Sequence, residues 1–333
     1  MRRIDTQTIG LPGQQTHDGA FPLAIGPTTQ GVTLDETLAW ARAEGQRLVQ
    51  LAKDHGALLL RGFPVAGADD FDALIRVFEL DSFTYEESFS NAIRINKTDL
   101  VFTANEAPPE VSIFLHHEMA QTPLYPAQLF FCCEIAPEAN GETPLCRSDV
   151  LLRELEAAAP DFVRACERLG VRYSNAMPNE DDPASGQGRS WRSTLGVTSR
   201  GDAETRLKEL GYDFEWRSDE SLQATTPVLP AIRRLKDGRR VFFNQLIAAF
   251  RGWQDARNEA KKSIRFGDES EIPADAMQMA IDLADKLSFD VAWQAGDVAL
   301  VDNYLVMHGR RPFKGARRVL VSLVADDGSR LAA

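Results

Sequence analysis

Residues 297–309, DVALVDNYLVMHG, and residues 317–325, RRVLVSLVA, are the most strongly strand-like parts of the chain. Both are rich in Val and Leu, as is typical of strands buried in a sheet. Three earlier stretches have the same texture: residues 112–120 (SIFLHHEMA), 128–136 (QLFFCCEIA) and 142–148 (ETPLCRS). Strands on both sides of helical segments predict a mixed α/β protein with a mainly β core, a sandwich or barrel with helices packed outside it.

Helical patterns surround these strands. A helix is predicted from Leu34 to Lys53, because Thr33 and Glu36 match a capping box and Gly56 follows its end. Further helices are predicted at residues 69–79, 148–170 and 274–287, and further strands at residues 56–63 and 240–246.

The polar stretch of residues 178–238 is interrupted by Pro, Gly, Ser and Asp. It predicts a long insertion with one short helix at residues 203–210 and a few strands. Insertions of this kind often act as lids over a site. No repeat or low-complexity tract divides the chain, and its length suits one large domain or two small ones.

Composition excludes several functions. The 333 residues include 37 Lys and Arg against 49 Asp and Glu, a net charge of −12, which argues against a broad nucleic-acid or anionic-membrane surface. No apolar run approaches the roughly 18–20 residues of a membrane helix, no signal peptide is predicted, and no GxGxxG or GxxxxGK[ST] motif occurs. Reduced thiols, and so a cytoplasmic protein, are predicted because no CxxC pair occurs among Cys132, Cys133, Cys146 and Cys166.

Histidine is rare, with five residues in the chain, so its placement is informative. His116 and Glu118 lie two positions apart in a predicted strand and should point to the same side of it. His308 ends a distant strand and is followed by Gly309. The three side chains can form the two-histidine, one-carboxylate set that binds Fe(II) and leaves three positions open. Zinc hydrolases use the same ligands, and an H-x-E pair often arises by chance, so both alternatives remain open.

An arginine follows His308 by ten positions. Arg318 is predicted to point inward, where burial demands an anionic partner. The distal carboxylate of a dicarboxylic cosubstrate would satisfy it in a bidentate pair, and the hydroxyl of Thr143 could donate to the same carboxylate. By alternation Arg317 then points to the other face, as a solvated charge at the sheet edge.

Four more polar residues are candidates for the substrate side of the pocket. His117 either lines that side or packs in the core. Asn244, Gln245 and Asn303 either reach the pocket or hydrogen-bond to the backbone, as polar residues in strands commonly do.

Three segments carry a resemblance to a known family: residues 115–145 (LHHEMAQTPLYPAQLFFCCEIAPEANGETPL), 240–246 (RVFFNQL) and 293–323 (WQAGDVALVDNYLVMHGRRPFKGARRVLVSL). They resemble the taurine dioxygenase/clavaminate synthase-like family of Fe(II)- and 2-oxoglutarate-dependent oxygenases, and within it the syringomycin-type hydroxylases of natural-product pathways. The resemblance covers nearly the whole chain, which implies a single domain over residues 1–333. The combination of the motifs H-x-E, H-G-R and R-R-V is specific for this family, whereas each motif alone is weak evidence for it.

The resemblance implies a double-stranded β-helix, the cupin-like jelly roll, with flanking helices. It implies metal ligation by His116, Glu118 and His308, and a 2-oxoglutarate salt bridge to Arg318 assisted by Thr143. The implied reaction uses Fe(II), 2-oxoglutarate and O₂ to hydroxylate an unactivated C–H of an amino-acid-like or natural-product intermediate, with release of succinate and CO₂.

Two comparisons with the family narrow the expected substrate and the expected reaction. Taurine dioxygenase has a second arginine four residues after the first, where this chain has Ser322, so a sulfonate substrate is not expected. Glu118 is the ligand that related halogenases replace to admit chloride, so hydroxylation is favoured over halogenation. A zinc-dependent hydrolase and a non-catalytic cupin-like binding protein remain the alternatives. The expected partner is a small molecule, free or tethered to a carrier protein, and both a monomer and a homo-oligomer remain open.

Overall fold

The computed structural model describes residues 3–84, 89–90, 93–182, 185, 188–253, 257–258 and 263–332. The α-helices in these ranges are α1 (Leu34–His55), α2 (Ala68–Arg76), α3 (Ser148–Ala158), α4 (Pro160–Leu169), α5 (Trp191–Leu195), α6 (Arg200–Glu209), α7 (Leu246–Gly252) and α8 (Ala274–Lys286). The strands are β1 (Thr6–Thr8), β2 (Gln15–Thr16), β3 (Ala20–Phe21), β4 (Leu23–Pro27), β5 (Ala57–Leu60), β6 (Phe102–Thr103), β7 (Ile113–His116), β8 (Gln128–Ile135), β9 (Ala139–Asn140), β10 (Thr143–Arg147), β11 (Val171–Met177), β12 (Asp213–Trp216), β13 (Leu222–Thr225), β14 (Arg233–Arg234), β15 (Arg240–Val241), β16 (Ile264–Phe266), β17 (Ser288–Val291), β18 (Val298–Asp302), β19 (Val306–Arg310), β20 (Phe313–Lys314) and β21 (Arg318–Val324).

Two sheets form the centre of the molecule. The larger runs in the order β1-β4-β5-β18-β8-β21-β6 and the smaller in the order β17-β10-β19-β7. Side chains of both sheets, such as Phe131 of β8 and Leu145 of β10, belong to one buried apolar cluster between them. Helices α1 and α2 share a second cluster with the larger sheet, and α3, α4, α7 and α8 share a third with the smaller one. The predicted β core with helices outside it is therefore present.

Helix α1 begins where its capping signal predicts. Thr33 Oγ1 accepts the N–H of Glu36 at 3.3 Å, and Glu36 Oε2 accepts the N–H of Thr33 at 3.0 Å. The helix ends at His55 and is capped by Gly56, whose φ of +90° is in the region that favours glycine. On the inner face of α1, Trp40 and Leu48 pack against the large sheet. Cap and apolar face together explain why this helix was predictable.

Two predicted elements are divided or shortened. The predicted helix at residues 148–170 is two helices, because Pro160 has no N–H to continue the hydrogen-bond ladder and becomes the first residue of α4. The predicted strand at residues 240–246 pairs over Arg240–Val241 alone, and its last residue already starts helix α7.

The two segments that carry the predicted ligands also differ in detail. The predicted strand at residues 297–309 is two strands, β18 and β19, separated by a turn at residues 303–305. The predicted strand at residues 112–120 pairs over Ile113–His116, and Glu118 lies beyond its end. The turn after β7 carries Glu118, and the turn at residues 303–305 leads the chain back into β19, which carries His308.

The polar middle of the chain builds a third sheet in the order β12-β13-β11-β16. The predicted short helix is present as α6, and its Leu207 packs with Trp191 and Leu222 in a small apolar cluster of its own. Residues 183–184 and 186–187 of the predicted insertion lie outside the described residues. Within the described ranges, no helix combines the length and apolarity needed to cross a membrane.

The capping box of α1 offers a test of local stability. We expect Thr33→Ala to lower the free energy of unfolding by about 1 kcal/mol, because the N–H of Glu36 in the first turn of α1 loses its acceptor. Urea denaturation monitored by circular dichroism measures the change. Glu36→Gln is the control, since its amide oxygen can still accept from Thr33. An equal loss in both variants would contradict this account.

Candidate active site

Strands β7 and β19 bring three potential metal ligands together. His116 lies opposite His308 in the pairing, and the two rings are 4.4 Å apart between centroids. Glu118 lies beside both: its Oε2 is 3.9 Å from Nε2 of His116 and 3.4 Å from Nε2 of His308. One donor atom of each side chain lies within 4.8 Å of the other two. The structure therefore assembles the three side chains that the sequence pattern predicts to converge.

The ionisation of His116 and Glu118 suits a divalent cation. Nδ1 of His116 donates to the carbonyl oxygen of Phe114 at 2.7 Å, so Nε2 keeps its lone pair for the site. Burial, and then the neighbouring His308, lowers the pKa of His116 to about 4, so this ring is neutral at physiological pH. Burial acts to raise the pKa of Glu118, but Arg94 and the two histidines outweigh it and hold the pKa well below its ordinary value. Two imidazoles and one carboxylate anion fit Fe(II) or Zn(II).

Asn303 fixes the backbone of Glu118. Its Oδ1 accepts the N–H of Glu118 at 2.7 Å, and its Nδ2 donates to the carbonyls of Glu118 and Pro126 at 3.0 and 2.7 Å. Because Asn303 lies in the turn between β18 and β19, it ties the segment before His308 to the segment after His116. The amide is fully buried and does not line the cavity, so the expectation that it reaches substrate is corrected.

His117 also has a structural position. It is fully buried, its Nδ1 donates to the carbonyl of Asn303 at 2.5 Å, and its ring packs 4.8 Å from that of Phe243 between centroids. Burial lowers the pKa of His117 to about 3, which keeps the ring neutral. Its candidacy for the substrate side is corrected. Gln245 does line the cavity, and its Nε2 donates to the carbonyl of His117 at 2.9 Å.

Asn244 follows the backbone alternative as well. Its Nδ2 donates to the carbonyl of Ala231 at 3.0 Å, and its Oδ1 accepts the N–H of Leu246 at 3.0 Å. The second bond satisfies a donor at the first turn of α7, where helix N–H groups have no partner within the helix. Asn244 therefore shapes the turn into α7 and lies outside the cavity.

A cavity of about 490 Å³ lies over the three ligands. Its volume falls within the usual range for small-molecule sites. It is lined by all three ligand side chains and by Thr143, and Asp182 and Ser185 of the middle segment also reach it. Its charged residues besides Glu118 and Asp182 are Arg94, Arg310 and Arg317, and its apolar ones include Ile113, Phe114, Phe131, Val319 and Val321.

The arginine beside the cavity is Arg317 and not Arg318. The side chain of Arg318 is 47% exposed and pairs with Glu134 at 2.9 Å, away from the cavity. Arg317 lines the cavity, donates from Nε to the carbonyl of Gly141 at 2.8 Å, and lies with Nη2 3.4 Å from Oγ1 of Thr143. The prediction that Arg318 points inward was wrong, and the two arginines exchange positions.

Burial on both faces of β21 explains the error. Val319 and Val321 line the cavity, whereas Leu320 packs in the cluster under α1 and α2. A strand that is apolar on both faces has no solvent side from which to count alternation, so its phase cannot be read from the pattern. A bulge between Arg318 and Val319 leaves Glu134 opposite the irregularity, where it pairs with Arg318.

Arg317 keeps hydrogen-bonding capacity for a ligand. Burial, and then the nearby Arg310, lowers the pKa of Arg317 to about 10, so it remains cationic at neutral pH. Within the described residues, the contacts of Arg317 to Gly141 and Thr143 use two of the five N–H groups of its guanidinium. Arg310, in contrast, braces the loop before β7 by donating to the carbonyls of Asn105, Ala107, Pro108 and Val111.

Two cavity residues carry no sequence motif. Arg94 donates from Nη2 to Oε1 of Glu118 at 2.8 Å, and both side chains are buried. Gln121 is also buried, and among the described residues its Oε1 has no hydrogen-bond partner. Gln121 lies three residues after the predicted ligand Glu118, and this spacing could have indicated that it belongs to the site. Arg94 lies in a polar segment that carries no motif.

The two-sheet core and the His–Glu–His cluster define a metal-dependent enzyme class. Residues 17–324 match the family described as "Taurine catabolism dioxygenase TauD, TfdA family", and the chain belongs to it. The resemblance seen in the sequence is thereby confirmed at the level of the family. Family membership and the donor set together confirm Fe(II), 2-oxoglutarate and O₂ as the cofactors.

Two curated relatives align over most of their length. A clavaminate synthase-like protein from Arabidopsis thaliana is 38% identical over 320 residues, which cover 94% of this chain and 96% of that protein. The dapdiamide synthesis protein DdaC from Enterobacter agglomerans is 28% identical over 291 residues, covering 83% and 84%.

Solved structures show a similar fold at low identity. PvcB from Pseudomonas aeruginosa superposes with a TM-score of 0.55 at 14% identity, covering 98% of this chain and 93% of that one. An asparagine oxygenase superposes with a TM-score of 0.52 at 14% identity, covering 86% and 79%. These likenesses concern the architecture of the chain.

The metal site can be tested by comparing variants of its ligands with a variant of their buried neighbour His117. Under anaerobic conditions, Fe(II) with 2-oxoglutarate should give a visible charge-transfer band, which His116→Ala and His308→Ala should abolish because each removes a donor atom. His117→Asn should retain the band, since its amide nitrogen takes the place of Nδ1 and can still donate to the carbonyl of Asn303. Loss of the band in His117→Asn with retention in His116→Ala would overturn the assignment of ligands.

Proposed function

We propose that this protein is a 2-oxoglutarate-dependent hydroxylase of a small, amino-acid-like or natural-product substrate. The observation that carries the proposal is the shared cavity, in which His116, Glu118 and His308 meet Thr143 and the cationic Arg317. When bound, Fe(II) with 2-oxoglutarate and O₂ supplies the oxidant for an unactivated C–H, with release of succinate and CO₂. The protein supplies the geometry, the exclusion of water and the choice of the C–H.

Arg317 and Thr143 form the end of the cavity for the distal carboxylate of 2-oxoglutarate. The guanidinium offers charge and unused N–H groups, which suit a bidentate carboxylate pair. Thr143 Oγ1 accepts the Nε1–H of Trp293 at 2.9 Å, so its own hydroxyl hydrogen is directed elsewhere and can be donated to the same carboxylate. The cosubstrate role first assigned to Arg318 therefore passes to its neighbour.

The rest of the cavity indicates the substrate. Apolar residues such as Ile113 and Phe114 line it together with the uncharged Gln121 and Gln245. The unpartnered Oε1 of Gln121 calls for a donor, because an unsatisfied buried acceptor costs about 1–3 kcal/mol. We propose that an amine, amide or hydroxyl group of the substrate donates to it.

Two further features limit the reaction. Counted from Arg317, the position four residues on is Val321, which lines the cavity and offers no charge to a sulfonate. Glu118 supplies a carboxylate where a halogenase would need an open position for chloride. Hydroxylation of a non-sulfonated substrate therefore remains the proposal, and the 28% identity to a dapdiamide synthesis protein supports a natural-product setting in general terms.

The finer structural and cellular assignments also stay proposals. The two packed sheets, in which β8 and β18 as well as β10 and β19 pair antiparallel while β4 and β5 pair in parallel, support the jelly-roll topology. Asp182 and Ser185 at the cavity support a lid role for the middle segment within a single domain. All four cysteines are buried and unpaired, which supports a cytoplasmic location.

The two neighbouring arginines make a matched pair for testing the cosubstrate site. Arg317→Met should weaken 2-oxoglutarate binding by about 2–5 kcal/mol, the cost of breaking a buried charge pair. Arg318→Met should change binding little, because its exposed pair with Glu134 is worth about 0–1 kcal/mol. Isothermal titration of the metal-loaded protein with 2-oxoglutarate measures both. A larger loss in Arg318→Met would refute the corrected placement.

The reaction itself is tested by product analysis. Succinate release is screened across amino acids and peptide intermediates, and the productive substrate is then turned over under ¹⁸O₂. A product that gains one labelled oxygen supports hydroxylation, whereas an unlabelled product two hydrogens lighter would contradict it. Zinc in the purified protein with no dependence on 2-oxoglutarate would favour the hydrolase, and binding without turnover would favour the cupin-like binding protein.

A further inference from the structure

The carboxylate of Glu118 presents its two oxygens to different partners. Oε2 lies 3.4 Å from Nε2 of His308 and 3.9 Å from Nε2 of His116. Oε1 instead accepts a hydrogen bond from Nη2 of Arg94 at 2.8 Å. The side chains of Arg94 and Glu118 are 7% and 5% exposed, so this charge-assisted bond is shielded from water. One oxygen faces the metal position while the other is held away from it.

The chain holds Arg94 firmly in this place. The next residue, Ile95, donates its N–H to Oγ1 of Thr103 at 3.0 Å and accepts the N–H of Thr103 at 2.9 Å. The guanidinium also lies 5.3 Å from the ring centre of Phe102, within the range of a cation–π contact. Thr103 and Phe102 form β6, which pairs with β21. Arg94 is thus attached to the edge of the large sheet.

A metal-bound carboxylate can coordinate through one oxygen or through both. A facial set of three ligand atoms leaves three positions, two for a chelating keto acid and one for O₂. If Glu118 bound through both oxygens, it would take one of those three positions. We infer that Arg94 is a positioning residue that holds Oε1 and so keeps Glu118 a one-oxygen ligand. The inference rests on the proposed metal site and requires no particular substrate.

Cobalt binding tests this role without turnover. The metal-free protein is titrated with Co(II) in the absence of 2-oxoglutarate, because the d–d absorption of Co(II) reports affinity and coordination together. Arg94→Met keeps an unbranched side chain but removes the donor, and we expect Co(II) affinity to fall about 10–100-fold, as for other lost hydrogen bonds to metal ligands. The absorption spectrum should change at saturation. Arg94→Lys keeps a charged donor and should recover most of the affinity.

Arg317→Met is the matched control, because it removes another buried cation from the same cavity. It should bind Co(II) with the affinity of the wild type, and only its affinity for 2-oxoglutarate should fall. Wild-type affinity and spectrum in a folded Arg94→Met would overturn the inference, as would an Arg94→Lys variant no better than Arg94→Met. If Arg94→Met does not fold, Arg94→Gln, which is too short to reach Oε1, takes its place in the comparison.

The experiment separates this inference from the proposed function. A wild-type protein that binds Co(II) but never consumes 2-oxoglutarate would refute the hydroxylase and leave the role of Arg94 to be decided by the variants. A wild-type protein that does not bind Co(II) would refute the metal site, and the inference with it.

Discussion

The buried negative charge of Glu118 is the constraint around which the site is organised. A carboxylate removed from water costs several kcal/mol unless charges and hydrogen bonds compensate for it. Here Arg94 and the two histidines surround the carboxylate, and Asn303 holds the backbone that carries it. These partners come from the segment before β6, from β7, from β19 and from the turn that precedes β19. The negative charge of Glu118 is therefore compensated once the strands of the larger and smaller sheets have their native pairing.

Local signals explain what the sequence predicts well. The capping box at Thr33 and Glu36 acts within one helical turn, so four consecutive residues are enough to locate the start of α1. The spacing of His116 and Glu118 is also local, and it predicts that both side chains face one site although the strand ends before Glu118. The composition of the apolar strands predicts a β core for the same reason. Each of these patterns is read from neighbours in the chain.

Long-range packing explains what the sequence does not reveal. The phase of β21 depends on which of its two apolar faces meets the other sheet, and no residue within the strand records that choice. A shift of one residue exchanges Arg317 with Arg318 and turns a cavity cation into an exposed ion pair. Arg94 is hidden in the same way, since its partner Glu118 is fixed by contacts with a turn far along the chain. Roles that depend on distant partners need the folded structure.

The pairing of β7 with β19 has a thermodynamic consequence. His116 and His308 are remote in the chain, so an unfolded polypeptide presents no comparable set of donors. A divalent ion bound by this set therefore binds the native state preferentially, and by linkage it stabilises the fold by about 2.7 kcal/mol at a hundredfold excess over its dissociation constant. Resistance to unfolding then varies with the supply of metal. A chain deprived of iron would be both inactive and easier to degrade, which couples the lifetime of the protein to the availability of its metal.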